Sequence, residues 1–456
     1  MSRPLMVLGC TSSAGKSLLT AALCRWFARE GVDVVPFKAQ NMSNNARVVA
    51  DGEIGVAQWL QAKAAGVEPT VAMNPVLVKP EDDTRSQVIV LGRRDDVVSS
   101  LPWEERHDLM WEAMRSSFDD LRTRHDLVVI EGAGSPAEIN LRDQVNNRMV
   151  AHADAAALLV SDIDRGGSFA HLFGTWSLVP DGTRDRLAGF VLNRFRGDAA
   201  LLTPGPERLT ELTGMAHAGT VPMLRHELPD EEGATIRGGG PGDGPRVAIV
   251  RFPYGSNLDE FRLVPLAARA VWTDDPAEIE RADWVVLPGS KHVAADVAWM
   301  RARGLDSATR AAATDGRRVL GVCGGAMMLG RSILDPYGVE SPVPNVAGLD
   351  LLPFATHMSP DKLVTPTTVA VAGVEVRGYE IRHGRLIGDD GSDVGTVVDR
   401  GNVTAMTVHG VLEDPVVLER WFGRRVTDPL PATFDVLADA VADHLDAELL
   451  HRLTRC

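Results

Sequence analysis

The sequence predicts an α/β protein built from two successive parallel-sheet domains. Three observations carry this expectation. Short, continuous apolar runs recur along the chain and alternate with helical patterns, as strands buried on both faces require. Several of these runs end directly in a glycine or a carboxylate, the usual edge at which open α/β sheets bind ligands. A Gly- and Pro-rich stretch with almost no apolar content separates one such series from another.

The elements follow in order. Residues 5–8 form an apolar run that enters a Gly/Ser/Thr-rich turn, and a helical pattern extends from Ser17 to about Glu30. Residues 32–36, 127–130, 155–160 and 189–193 read as further buried strands. The polar stretch, with Arg237-Gly-Gly-Gly-Pro-Gly-Asp-Gly-Pro245 at its heart, is expected to be a linker. The strand series resumes at Arg246–Val250 and continues at Trp284–Leu287 and Arg318–Val322. The expected division is therefore a first domain over 1–226, a linker over 227–245 and a second domain over 246–456.

Composition narrows the function classes. The 456 residues are 45% hydrophobic and 24% charged, which excludes disordered and fibrous classes. Acidic residues number 62 against 47 basic ones, a net charge of −15. That balance argues against nucleic acid or an anionic membrane as partner. No apolar run reaches the ~18 residues of a membrane span, and the short N-terminal run before Gly9 reads as a strand rather than a signal peptide. The cysteines, at positions 10, 24, 323 and 456, form no Cys-x-x-Cys pair. This usage fits a reducing cytosol.

Gly9-Cys-Thr11-Ser-Ser-Ala-Gly15-Lys16-Ser17 lies between a strand and a helix. Backbone N–H groups of such a turn, together with the helix N-terminus, cradle phosphates. Lys16 would neutralise β/γ charge and the Ser17 hydroxyl would hold Mg²⁺, which makes ATP the expected ligand. The strict motif has four residues between its glycines; here there are five. Glu131, at the end of the 127–130 run, is the candidate metal carboxylate, its alternative being a solvated strand-end residue. Asp51 is a second, weaker metal candidate.

Cys323 lies between Val322 and Gly324-Gly325, where a strand gives way to a helix. Small neighbours permit the sharp turn that exposes a nucleophile, and the following helix N-terminus favours a thiolate. The N–H of Gly324 could donate to an oxyanion, with a second donor at Gly289 after Trp284–Leu287. His409, following an apparent strand at 402–407, is the candidate base. Alone, a cysteine is more often a small buried hydrophobe; the pair at two strand ends makes a Cys–His couple the better reading.

With these residues in place, the chain resembles the cobyric acid synthases, glutamine-dependent amidotransferases of cobalamin synthesis. The resemblance rests on Pro36-Phe-Lys38-Ala-Gln40-Asn41-Met-Ser-Asn-Asn45, Met73-Asn-Pro-Val-Leu-Val-Lys-Pro80, Glu131-Gly-Ala-Gly-Ser-Pro-Ala-Glu-Ile-Asn140 and Asp162-Ile-Asp164-Arg165-Gly-Gly167. The second domain adds Gly321-Val-Cys-Gly-Gly325, Gly378-Tyr-Glu-Ile381 and Val408-His-Gly410. The Lys-Ala-Gln-Asn-Met-Ser run separates this family from the related enzyme that amidates the a and c carboxylates.

The resemblance implies an N-terminal domain of P-loop, dethiobiotin synthetase-like fold and a C-terminal class I glutamine amidotransferase domain. It implies ATP- and glutamine-dependent amidation of the b, d, e and g carboxylates of adenosylcobyrinic acid a,c-diamide. It places Gly9, Thr11, Gly15, Lys16 and Ser17 at the nucleotide, with Glu131 at the metal. Lys38, Gln40, Asn41, Asp164 and Arg165 fall at the substrate or the phosphates. Asn193 is placed at the nucleotide base or is simply a strand-end asparagine.

The sequence departs from the family at Ser13, where an acidic residue is usual, and at Ala326, where an aromatic is common. It also departs at Gln144 and in the loop Asp51-Gly-Glu53. Val411 stands where most class I glutaminases have a glutamate two residues after the histidine, so His409 needs another orienting group. Two rivals share the architecture: another corrinoid or cell-wall amidotransferase, and a regulatory P-loop ATPase with a non-catalytic glutaminase-like domain. The second usually carries a signature lysine where Thr11 stands.

Overall fold

A computed structural model describes residues 2–80, 86–140, 145–224, 226, 228–229 and 244–455. Cys456, Gln144 and most of the expected linker 227–245 lie outside the described residues. The chain forms two compact units. The first comprises 1–43, 51–228 and 429–456; the second comprises 44–50 and 229–428. The units are thus not two contiguous halves. The end of the expected second domain, Pro429–Cys456, belongs to the first unit, and the short segment Asn44–Ala50 belongs to the second.

The first unit is organised on a six-stranded parallel sheet. Its spatial order is Ala216–Pro222, Leu187–Phe195, Ala156–Asp162, Leu5–Gly9, Leu127–Glu131 and Val34–Phe37. All seven residues of Ala156–Asp162 are buried, which is why the strand has no polar alternation. The order places Leu127–Glu131 beside Leu5–Gly9, with Val7 opposite Glu131. The phosphate loop and the acidic strand end therefore emerge side by side at the carboxyl edge of the sheet. Lys16–Arg29 is a helix whose Leu19, Leu23 and Phe27, spaced by four, face the core. The C-terminal helix Leu430–His444 buries Leu437, Ala438 and Val441 in the same cluster, and Arg25 pairs with Asp435 at 2.8 Å. This apolar face is what draws the chain's end into the first unit.

The second unit has its own six-stranded sheet, in the order Arg269–Thr273, Arg246–Val250, Trp284–Leu287, Arg318–Val322, Val403–Met406 and Val397–Arg400. The first five strands are parallel and the last is an antiparallel edge. A long hairpin, Phe354–Val371 with Val374–Gly388, flanks it. The two sheets bear out the expected α/β class.

Candidate functional site

At the first site, Gly15 caps the Lys16–Arg29 helix with φ 96°, a left-handed conformation that a side chain would strain. A Cβ there would also fall 2.0 Å from Asn193 Nδ2, whose amide donates to the Ala14 carbonyl at 2.9 Å. Asn193 thus braces the loop itself. The Lys16 ammonium folds back toward the Thr11 carbonyl at 3.4 Å, over Gly9.

Glu131 is almost wholly enclosed beside it. Ser17 Oγ donates to its Oε1 at 2.7 Å, Lys38 Nζ reaches the same oxygen at 2.8 Å, and Gln61 Nε2 donates to Oε2 at 2.5 Å. Gln58 Nε2 approaches Oε2 at 3.3 Å and in turn accepts from Asn41 Nδ2 at 3.0 Å. Burial disfavours the charged carboxylate, but the Lys38 ammonium and these hydrogen bonds outweigh it and hold Glu131 below the usual carboxylate range. Glu131 is therefore a buried, ionised group, not a solvated strand end.

The other expected residues fall around this centre or away from it. Gln40 is buried in the short strand Gln40–Met42, and its Oε1 has no hydrogen-bond partner. Asp164 and Arg165 lie in the turn after Ala156–Asp162; the Asp164 N–H donates to Asp162 and Arg165 lies 3.4 Å from the same carboxylate. Asp51 does not join the groups around Glu131. It is exposed and accepts from the Val71 N–H at 3.4 Å. No cluster of three His, Cys, Asp or Glu suited to a metal occurs among the described residues. An oxygen pair, the Ser17 hydroxyl and the Glu131 carboxylate, with a cation already seated on the latter, is nevertheless the donor chemistry that a hard Mg²⁺ takes.

At the second site, Cys323 has φ 49° and ψ −107°, a strained turn between the Arg318–Val322 strand and the Gly324–Met328 helix. Cys10 and Cys24 offer no rival nucleophile: burial pushes the Cys10 thiol up to about 11 and raises Cys24 further. Gly324 packs against Ser290, and Gly289 lies against Ser256, where a Cβ would come within 3.3 Å of His409 Cε1. The Ser290 hydroxyl donates to the buried Asp296 at 2.6 Å and accepts from the His292 N–H at 3.0 Å, which fixes this turn.

His409 is held on several sides. Its backbone bridges Tyr379 through N–H bonds of 2.8 and 3.1 Å, an approach open only because Gly378 lacks a Cβ, which would sit 2.3 Å from the His409 carbonyl. The Tyr379 ring stacks on the imidazole at 5.3 Å. Its Nδ1 lies 2.6 Å from Glu260 Oε1, while Oε2 of the same carboxylate accepts from the Gly410 N–H at 3.0 Å. Glu260 is thus the orienting group that Val411 could not supply. It comes from the 3₁₀ turn Leu258–Leu263, far away in sequence, so no local spacing announced it. Burial alone would lower the His409 pKa, but the Glu260 charge and the interaction with Cys323 more than reverse this and push it up to about 10. At neutral pH His409 is then an imidazolium beside the Cys323 sulfur, an arrangement able to protonate the nitrogen that leaves an amide.

One expected result follows from this geometry. Glu260→Gln keeps the shape but removes the charge that raises His409. Hydrolysis of an amide such as glutamine should fall by about 10²–10⁴-fold, as loss of an orienting carboxylate does elsewhere. Because the imidazolium pKa drops, the alkaline limb of the kcat profile should move to lower pH. Ammonia release measured across pH checks both, and an unchanged profile would remove Glu260 from the site.

Known proteins resemble both parts of the chain. Residues 5–233 match the CobQ/CobB/MinD/ParA nucleotide binding domain, and residues 246–417 the CobB/CobQ-like glutamine amidotransferase domain. The chain is 50% identical to the cobyric acid synthase of Variovorax paradoxus, over 99% of both chains. It is likewise 50% identical to that of Paracidovorax citrulli, over 98% of each, and 49% identical to that of an Acidovorax strain, over 99% of this chain and 98% of the other.

Proposed function

Because the chain belongs to the cobyric acid synthase family of amidotransferases, we propose that it amidates the b, d, e and g carboxylates of adenosylcobyrinic acid a,c-diamide, giving adenosylcobyric acid. The single observation that carries the reading is the pairing, in one chain, of a phosphate loop beside an ionised Glu131 with a strained Cys323 beside an oriented His409.

The chemistry needs both. A carboxylate is a poor electrophile, so its oxygen first attacks the γ-phosphorus of ATP, giving an acyl phosphate and ADP. Lys16 and the loop N–H groups hold the triphosphate and its transferring charge. Ser17 and Glu131 are the residues that would hold Mg²⁺, which when bound offsets charge on the β- and γ-oxygens. Lys38, whose ammonium lies on Glu131 Oε1 at 2.8 Å, is placed to offset charge on the phosphates or on the substrate carboxylate. Ammonia then attacks the acyl carbon and inorganic phosphate leaves.

The second site makes that ammonia. The Cys323 thiolate attacks the glutamine amide carbon, and N–H groups at Gly324 and Gly289 receive the oxyanion. The His409 imidazolium gives its proton to the departing nitrogen, leaving a thioester. Neutral His409 next takes a proton from water, whose oxygen attacks the thioester and releases glutamate.

The test is ATP turnover. ADP release should rise at least tenfold when adenosylcobyrinic acid a,c-diamide and glutamine are supplied together, with one amide formed for each ATP consumed. A protein that hydrolyses ATP equally with and without the corrinoid would contradict the reading. So would one that prefers a cell-wall precursor.

A further inference from the structure

Asn44–Ala50 carries the inference. It lies in sequence between Ser43 and Asp51, both of the first unit, yet it clusters with the second. Three consecutive residues of it each grip a neighbour of the Glu260–His409 pair. Asn45 Oδ1 accepts from the Asn257 N–H at 2.8 Å, and the Ala46 N–H donates to Asn257 Oδ1 at 3.1 Å. This two-point clamp fixes Asn257 at φ 53°, in the left-handed region that asparagine enters more readily than other residues with a side chain. The Asn257 Nδ2 so placed lies 3.5 Å from His409 Nε2.

Arg47 adds a second grip. Its guanidinium is buried, with Nε on Asp259 at 2.8 Å and Nη1 and Nη2 on the two oxygens of Glu413 at 2.7 and 2.6 Å. Asp259 immediately precedes Glu260, and Glu413 closes the 3₁₀ turn that follows Gly410. Together with Arg262, whose Nε lies 3.3 Å from Glu413 Oε1, Arg47 therefore ties together the two backbone segments that bring the carboxylate and the imidazole to each other. A planar fork suits this bidentate task better than an ammonium would. The third grip is weaker: Tyr379, stacked on His409, points its hydroxyl at the Ala46 carbonyl at 3.4 Å.

We propose that Asn45-Ala46-Arg47 is a positioning element of the glutaminase, supplied by a part of the sequence that precedes that domain by about two hundred residues. It touches no reacting atom. It sets the register of Glu260 against His409 and the place of Asn257 beside Nε2, so that the amide-cleaving centre is complete only with this segment. The inference rests on the glutaminase reading of Cys323 and His409.

The experiment uses the full chain and measures glutamine hydrolysis, ammonium-driven amidation and thermal melting side by side. Asn45→Ala removes the side-chain amide that accepts from the Asn257 N–H, and no charge. It should lower glutaminase kcat about 10- to 100-fold with KM for glutamine nearly unchanged, since misplacement rather than lost binding is the defect. Ammonium-driven amidation should remain within about twofold of wild type. Arg47→Met should have the larger effect and Arg47→Lys an intermediate one, because the ammonium restores charge but not the fork. Equal losses with both nitrogen sources, or a lowered melting temperature with unchanged kcat in the folded fraction, would overturn the proposal. So would a wild-type kcat in Asn45→Ala, which also keeps the test decisive if the Arg47 variants, with the buried Asp259 stripped of its Arg47 partner and Glu413 left to Arg262, do not fold. Absence of glutaminase activity in the wild-type chain would instead refute the functional reading on which the inference stands.

Discussion

Cys323→Ala should stop glutamine-driven amidation and leave ammonium-driven amidation standing. The expected fall with glutamine is on the order of 10⁴-fold or more, because the variant cannot form the thioester and removal of a nucleophile collapses the whole relay. His409 then has no thiolate partner, and Glu260 still orients it, but an imidazole cannot replace sulfur at the amide carbon. Nothing in the phosphate loop changes. The acyl phosphate should still form, and free ammonia, supplied as ammonium at raised pH, should intercept it. Product formation with the two nitrogen sources, measured in parallel, reads the result directly. Glutamine use by the variant would place the nucleophile elsewhere. Loss of both sources in a folded protein would show that the two sites do not divide the labour in this way.

The parts of the molecule that were legible in the sequence are those governed by local pattern. Arg246–Val250, Trp284–Leu287 and Arg318–Val322 were read with their observed bounds, because a strand buried on both faces is an unbroken apolar run. The helix read from Ser17 to Glu30 spans Lys16–Arg29, since a glycine turn and a change of periodicity mark its start. Cys323 and Lys16 were legible because sharp turns need small residues around a functional one. The long strand Phe354–Val371 was not, because its exposed and half-buried positions mix without a clear period. The docking of Leu430–His444 into the first unit was equally hidden: an amphipathic helix states that it has an apolar face, not which core receives it. Glu260 and Arg47 were missed for the same reason in sharper form. Their partners, His409 for one and Asp259 with Glu413 for the other, lie 149, 212 and 366 positions away, and only the folded chain brings them together. Asp51 is the converse case, an acidic loop residue whose contact is with the Val71 N–H rather than with the groups around Glu131.

Lys16→Ala should abolish amidation with either nitrogen source, and it is the cleaner probe of the phosphate site. The more obvious target, Glu131, is bound to the buried Lys38 ammonium, and removing one partner of such a pair costs about 3–5 kcal/mol. A Glu131 variant could lose activity by unfolding. Lys16 instead reaches the Thr11 carbonyl at 3.4 Å, a long contact. Its ammonium is the one cationic side chain in the Gly9–Ser17 loop. Without it the loop N–H groups and the helix N-terminus still receive phosphate, but charge developing on the β- and γ-oxygens is no longer opposed. ATP hydrolysis and amidation should each fall at least about 100-fold, the scale on which loss of one preorganised donor to a transition-state charge is felt. The melting temperature should stay near that of wild type. Basal glutamine hydrolysis should persist, because Cys323, His409 and Glu260 share no atom with the loop. The measurement is corrinoid amidation at saturating ammonium together with glutamate release. Near-wild-type amidation would show that Lys16 faces no phosphate. Loss of glutamate release alongside amidation would show instead that the glutaminase is idle unless the first site turns over, a dependence that Cys323→Ala cannot reveal.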